Sequence, residues 1–183
     1  MLHLYENALA EVGKCLGRID PSQFEAVVDA LTKARRIALY GVGREGLQIK
    51  GLAMRLFHLG LQSSVVGDMT TPAVEKGDLL IVSAGPGDFS TVSALIGVAR
   101  EAGARVLVIT AQAEGAAARK GDLVLHVPAQ TMANDQGATA SVMPMGSLYE
   151  GALYIAVELL VLAVRDRLKV SPAVMRANHT NLE

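Results

Sequence analysis

The chain has 183 residues and a mass of 19.2 kDa, one domain's length, enough to bury on the order of 70% of its unfolded surface. Hydrophobic residues make up 51% and charged residues 19%, which excludes disorder. The 17 basic and 18 acidic residues leave a net charge of −1, and only 4% are aromatic with no Trp, so neither a basic field for nucleic acid nor a stacking platform for single strands is present.

Residues 2–17 carry Leu4, Ala8, Val12 and Cys15 with Leu16 at helical spacing. A second helix begins at Asp20-Pro21, with Asp20 as N-cap and Gln23 completing a capping-box pattern; Phe24, Val27, Val28 and Leu31 form its apolar face. The period then changes. Residues 36–40 read as a strand ended by Gly41-Val42-Gly43, and a helix follows over about 44–60. Strands are predicted at 63–66 and 78–83. Gly85-Pro86-Gly87 breaks the chain before a helix over about 89–102, and a fourth strand spans 105–110. A short Ala-rich helix and a strand at 123–127 come next. Residues 128–143 are irregular, a long helix runs from about 147 to 168, and the tail 176–183 is polar without a helical pattern. Continuous apolar strands alternating with helices define a parallel sheet covered on both faces, over a single domain 1–183.

Cys15, the lone cysteine, can form no internal disulfide and no zinc-binding cysteine cluster. A reducing, cytoplasmic setting is expected. The first residues show no signal peptide, and the apolar stretch 151–164 is short for a bilayer and carries Glu158, so no membrane partner is expected. Lys76-Gly77-Asp78 recurs as Lys120-Gly121-Asp122, 44 positions later, and the two glycine loops are also 44 apart. This marks a repeated strand–loop–helix unit, with the Lys-Gly-Asp turns read as structural.

Both glycine loops leave a strand and open a helix, so both fall at the C-terminal edge of the sheet, where backbone N–H groups and helix dipoles receive anions. The first loop, Gly41 to Gly46, also fits the dinucleotide pattern G-x-G-x-x-G, with Asp68 placed 22 residues later as a ribose-binding acid. At the long helix, Glu150 reads either as the third helical position of a capping box with Ser147 as N-cap or as a carboxylate at the pocket rim, raised for proton transfer by apolar neighbours.

Several segments together resemble the 6-phospho-3-hexuloisomerases of the sugar isomerase (SIS) domain superfamily. They are Gly41-Val42-Gly43-Arg44, residues 53–60, residues 67–73, Pro144 through Glu150, and the ending His179-Thr180-Asn181-Leu182-Glu183. The resemblance implies a three-layer α/β/α sandwich with a five-stranded parallel sheet. It implies a homotetramer or dimer with shared sites, and interconversion of a 3-hexulose 6-phosphate and fructose 6-phosphate through a cis-enediol(ate), without metal or organic cofactor. Glu150 matches the family's base, and His179 its C-terminal histidine, which reaches a neighbour's site. Gly43, Arg44, Glu45, Ser83, Gly85, Gly87, Asp88, Ser90 and Thr91 match the binding loops. Two of these depart from the family's pattern: Glu45 and Asp88 stand where hydroxyl side chains grip the phosphate. They are expected to point into the pocket and weaken phosphate binding, with Arg44, Ser83, Ser90 and Thr91 compensating. The alternatives are an isomerase of an unphosphorylated or differently charged sugar, a non-catalytic sugar-binding SIS module, and a small dinucleotide-binding protein.

Overall fold

The computed structural model describes residues 2–137 and 140–182. Helices α1 (Leu2–Leu16) and α2 (Pro21–Lys33) lead into β1 (Ile37–Gly41), α3 (Gly43–His58), β2 (Ser63–Val65) and β3 (Leu79–Ser83). Then come α4 (Ser90–Glu101), β4 (Arg105–Thr110), β5 (Leu123–His126), α5 (Ser147–Leu168) and α6 (Pro172–Ala177). All strand pairs are parallel, in the order β2-β1-β3-β4-β5. The chain runs outward from β1 to β2 and then crosses back to β3, so its direction reverses between β1 and β3. Ligands of open α/β sheets sit beyond the strand ends at such a reversal.

Alternate strand residues serve the two faces. Ile37, Leu39, Leu79, Ile81, Leu107, Ile109 and Leu125 pack with α1, α2, α3 and α5. Ala38, Leu80, Val82, Val106 and Val108, smaller on average, meet Val92, Ile96 and Ala99 of α4. The result is the expected three-layer sandwich, with four helices on one face and α4 on the other.

The helix starts show where local signals held and where tertiary contacts took over. Asp20 caps α2 by accepting from the Ser22 and Gln23 N–H groups at 2.7 and 3.3 Å. Gln23 does not reach back to close the box; its side-chain oxygen accepts the His126 N–H instead. The Ala-rich segment makes only a 3₁₀ turn, Ala118–Lys120. Its chain is drawn onto the second glycine loop, with the Ala117 N–H donating to the Gly87 carbonyl at 3.0 Å. The short helix α6 ends as the polar tail begins, and it is opened by Ser171 as N-cap and Pro172 in the first turn. Asp78 and Asp122 of the repeated turns are structural, as expected. Asp78 is buried against the Arg35 guanidinium at 3.0 Å, and Asp122 accepts the Val106 N–H at 2.8 Å.

Helix α5 has 22 residues, longer than its apolar stretch, and its length and hydropathy alone would suffice to cross a bilayer. Its inner side, Ala152, Leu153, Ala156, Val157, Leu160, Val161 and Val164, is packed into the core. Tyr154, Ile155, Leu159 and Leu162 remain exposed on the other side.

Strand β1 and helix α3 meet at two glycines: a Cβ on Gly46 would lie 2.5 Å from the Gly41 carbonyl oxygen. Gly46→Ala is therefore expected to cost about 1–3 kcal/mol or more through overpacking. Gly97, exposed in α4 with open space around its would-be Cβ, provides the contrast. Gly97→Ala is expected to gain about 0.5–1 kcal/mol. Urea denaturation of both variants measures the difference, and equal effects would refute the close-approach reading.

Candidate active site

The register sets Gly41 opposite Ser83, which brings the two glycine loops side by side at the end of the sheet. The start of α5 closes over them, leaving a cleft of about 350 Å³. One wall is Gly43, Arg44 and Glu45 from the first turn of α3. The floor is Tyr149 and Glu150 of α5, and Thr131, Met132 and Met145 come from the segment before that helix. Gly43 has φ +57°, a left-handed conformation that suits glycine at the entry to α3.

Arg44 spans the cleft. Its Nε lies 3.1 Å from Glu150 Oε2, and its other nitrogens donate to Ser147 Oγ at 2.9 Å and to the Met145 carbonyl at 2.6 Å. These contacts correct the capping-box reading. Gly146, at φ +82°, is the N-cap of α5, Ser147 is already helical, and Ser147 Oγ receives Arg44 instead of a backbone N–H. The Glu150 side chain is thereby left to face Arg44 and the cleft. Burial pushes the Glu150 carboxyl above the usual glutamate range, and the Arg44 charge works in the opposite direction.

Glu45 is buried, with 7% of its surface exposed. Its Oε2 accepts from the Ser83 hydroxyl at 2.6 Å and from the Gly85 N–H at 2.9 Å. Ser83 Oγ also lies 3.0 Å from the hydroxyl of the buried Tyr149. Burial raises the Glu45 carboxyl, the Ser83 and Gly85 hydrogen bonds lower it in part, and the Glu150 charge raises it further. Burial likewise holds the Tyr149 phenol well above its ordinary value. Gly85 must be bare: a Cβ there would lie 2.6 Å from the Tyr149 ring and 2.9 Å from Glu45 Oε1.

Of the sequence-predicted residues, Gly43, Arg44, Glu45 and Glu150 line the cleft, while Ser83 and Gly85 stand behind Glu45 as its donors. Gly87, at φ +107°, supports the loop against Gln112 and Gly115. Asp88 does not point inward; it is exposed and accepts from the Ser93 hydroxyl at 2.7 Å, one turn into α4. Ser90 and Thr91 are exposed on the first turn of α4, outside the cleft lining. His179 lies at the far end of α3, its ring centroid 5.0 Å from that of His58. From Arg44 to His58 the helix rises on the order of 20 Å, so His179 and Glu150 do not meet within one chain. Asp68 sits exposed in the turn after β2, and a carboxyl occupies the helix start where a dinucleotide's pyrophosphate would bind. Sequence reasoning missed Tyr149, although it adjoins Glu150, and missed Thr131 and Met132, which lie in a segment with no periodic signal. Among the described residues, no three His, Cys, Asp or Glu side chains gather as metal ligands would.

The fold and the position of the cleft define a sugar-isomerase type of domain, and the chain belongs to the SIS domain family, whose model matches residues 30–155. It is 35% identical to the 3-hexulose-6-phosphate isomerase of Mycobacterium gastri, over 94% of this chain and 86% of that one. It is 34% identical to the enzyme of that name from Methylomonas aminofaciens, over 87% of each. A Methanococcus jannaschii protein, whose crystal structure is described as inferring the function of 3-hexulose-6-phosphate isomerase, superposes with a TM-score of 0.83 at 28% identity. The match covers 100% of this chain and 98% of that one.

The raised Glu45 carboxyl gives a signed pH dependence. A group whose pKa is higher folded than unfolded stabilises the fold at low pH, and that contribution is lost as pH rises through the folded value. Glu45→Gln, which cannot ionise, is expected to melt above wild type at pH 8. The gap should shrink as pH falls toward about 4, the ordinary glutamate range. A gap that did not change with pH would count against a strained carboxyl.

Proposed function

We propose that the chain is a sugar-phosphate isomerase that interconverts a 3-hexulose 6-phosphate and fructose 6-phosphate. The observation that carries this reading is Glu150, a largely buried carboxyl on the cleft floor, with Oε2 held by Arg44 and Oε1 accepting no hydrogen bond among the described residues. The named relatives supply the substrate class. In the forward direction Glu150 takes the proton from C2, giving a cis-enediol(ate), and returns it to C3. A proton moves from the oxygen on C2 to the oxygen on C3, so the carbonyl shifts from C3 to C2 with no net change in composition. Burial makes Glu150 the stronger base, and Arg44 keeps it ionised and aimed, which matches its proton affinity to its task.

The oxygen-to-oxygen transfer falls to His179 of a neighbouring copy, within a homotetramer or dimer built from whole SIS units, 1–183. This is supported by the distance of His179 from Glu150 within one chain. It is also supported by the apolar outer faces of three helices: Leu2, Tyr5 and Leu9 on α1, Phe57 on α3, and Ile155 and Leu159 on α5. A cytoplasmic location is supported by the single, free, buried thiol of Cys15.

Glu150→Gln is expected to lower kcat by about 10²-fold or more, the usual span for a lost general base, with the circular dichroism spectrum unchanged. Solvent deuterium entering C3 of fructose 6-phosphate should fall in parallel, and an undiminished rate would remove the base assignment. For the assembly, Glu150→Gln and His179→Asn subunits, each inactive alone, are expected to regain activity when refolded together. Sedimentation should show no monomer at micromolar concentration. Failure to complement, or a stable monomer, would refute the shared site.

A further inference from the structure

The Arg44 guanidinium and the two donors at the end of β3 already have acceptors within the chain. Arg44 is taken by Glu150, Ser147 and the Met145 carbonyl. The Ser83 hydroxyl and the Gly85 N–H, the two donors at the end of β3, both point at Glu45 Oε2. That oxygen is an acceptor whether or not the carboxyl carries a proton. Glu45 Oε1 has no hydrogen-bond partner among the described residues. It is not sealed off either, since no buried side-chain oxygen there lacks a partner. Glu45 lines the cleft, so Oε1 opens into it. A phosphate dianion placed at this end would meet a carboxyl instead of donors, whereas a sugar hydroxyl would find a ready acceptor.

We propose that Glu45 is the specificity-determining residue of this cleft: by filling the donors at the end of β3 with its own carboxyl, it makes this end a seat for sugar hydroxyls, and the enzyme a ketohexose isomerase that does not depend on a phosphate. The inference rests on the isomerase reading of Glu150 and widens its substrate class from the phosphate ester to the free ketohexose. The neighbouring groups bear on it unequally. Tyr149 and Glu150 of α5 face Glu45 with a phenol and a second carboxyl, and Arg44, beside it on α3, is directed to Glu150. Among the described residues that line the cleft, Arg44 is the one cation, and Glu150 already holds it. The serine variant Glu45→Ser frees both donors and removes the carboxyl.

Deuterium exchange at C3, followed by NMR with fructose and with fructose 6-phosphate as probes, tests this directly. Wild type is expected to exchange fructose with a kcat/KM within about tenfold of the phosphate ester or above it. Glu45→Ser should shift the ratio toward fructose 6-phosphate by about tenfold or more, chiefly through KM, the least expected from two new charge-assisted hydrogen bonds. Glu45→Gln, whose amide oxygen can still accept from Ser83 and Gly85, should keep a ratio near wild type. Exchange of fructose 6-phosphate alone, with a ratio unmoved in Glu45→Ser, would overturn the specificity role and leave the isomerase intact. Exchange of neither sugar by wild type would overturn both. Where Glu45→Ser does not fold, the wild-type ratio decides: a preference for the phosphate ester beyond about 10³-fold overturns the proposal.

Discussion

The parallel pairing of β1 with β3 governs what this molecule can do. It sets Gly41 against Ser83, so the turns that follow the two strands emerge next to each other, where the chain reverses its direction across the sheet. Each turn holds a glycine that has no room for a side chain. Gly46 sits on the Gly41 carbonyl, and Gly85 leaves the space that the Tyr149 ring and the Glu45 carboxyl fill. The start of α5 can descend onto the sheet edge because Gly85 is bare, and that descent carries Glu150 to the cleft.

Two consecutive residues then tie the parts together. Arg44 and Glu45 are about 100° apart around α3, so one side chain crosses to α5 and the other turns back to β3. Burial acts on both carboxyls of the cleft in the same direction, yet Arg44 stands against Glu150 and not against Glu45. Carboxyls given such unequal surroundings take unequal chemical roles. In the proposed reaction Glu150 exchanges a proton with carbon and Glu45 holds a hydroxyl.

The sheet and its helices were legible because they are strong period signals: unbroken apolar strands and amphipathic helices with Asp20-Pro21 marking a boundary. The edge that carries the site was legible too, because in a parallel sheet glycine turns after strands can only lie at the C-terminal end. The fate of individual polar side chains was not. Ser147 has the spacing of a cap, but Arg44, distant in sequence, takes its hydroxyl. Asp88 and Glu45 look equivalent in the loops, yet a hydroxyl one turn into α4 draws the first outward, while Ser83 and Gly85 draw the second inward. Gln23 shows the same competition on a smaller scale. Local pattern states what a residue can bond to, and the packed fold decides which of several partners is nearest.

The cleft has walls of different character. On one side the backbone of β1 and α3 is locked glycine to carbonyl, with no side chain between them to repack. On the other, Met132 and Met145 arrive from an irregular segment, flexible thioether side chains that are largely exposed. Retuning the pocket for a new sugar while Arg44 keeps its hold on Glu150 therefore falls to the methionine side and to the side chain at position 45. The floor that carries Glu150 can stay constant while the substrate changes, which allows one backbone to serve a series of related sugars in descent without the proposed proton transfer being rebuilt.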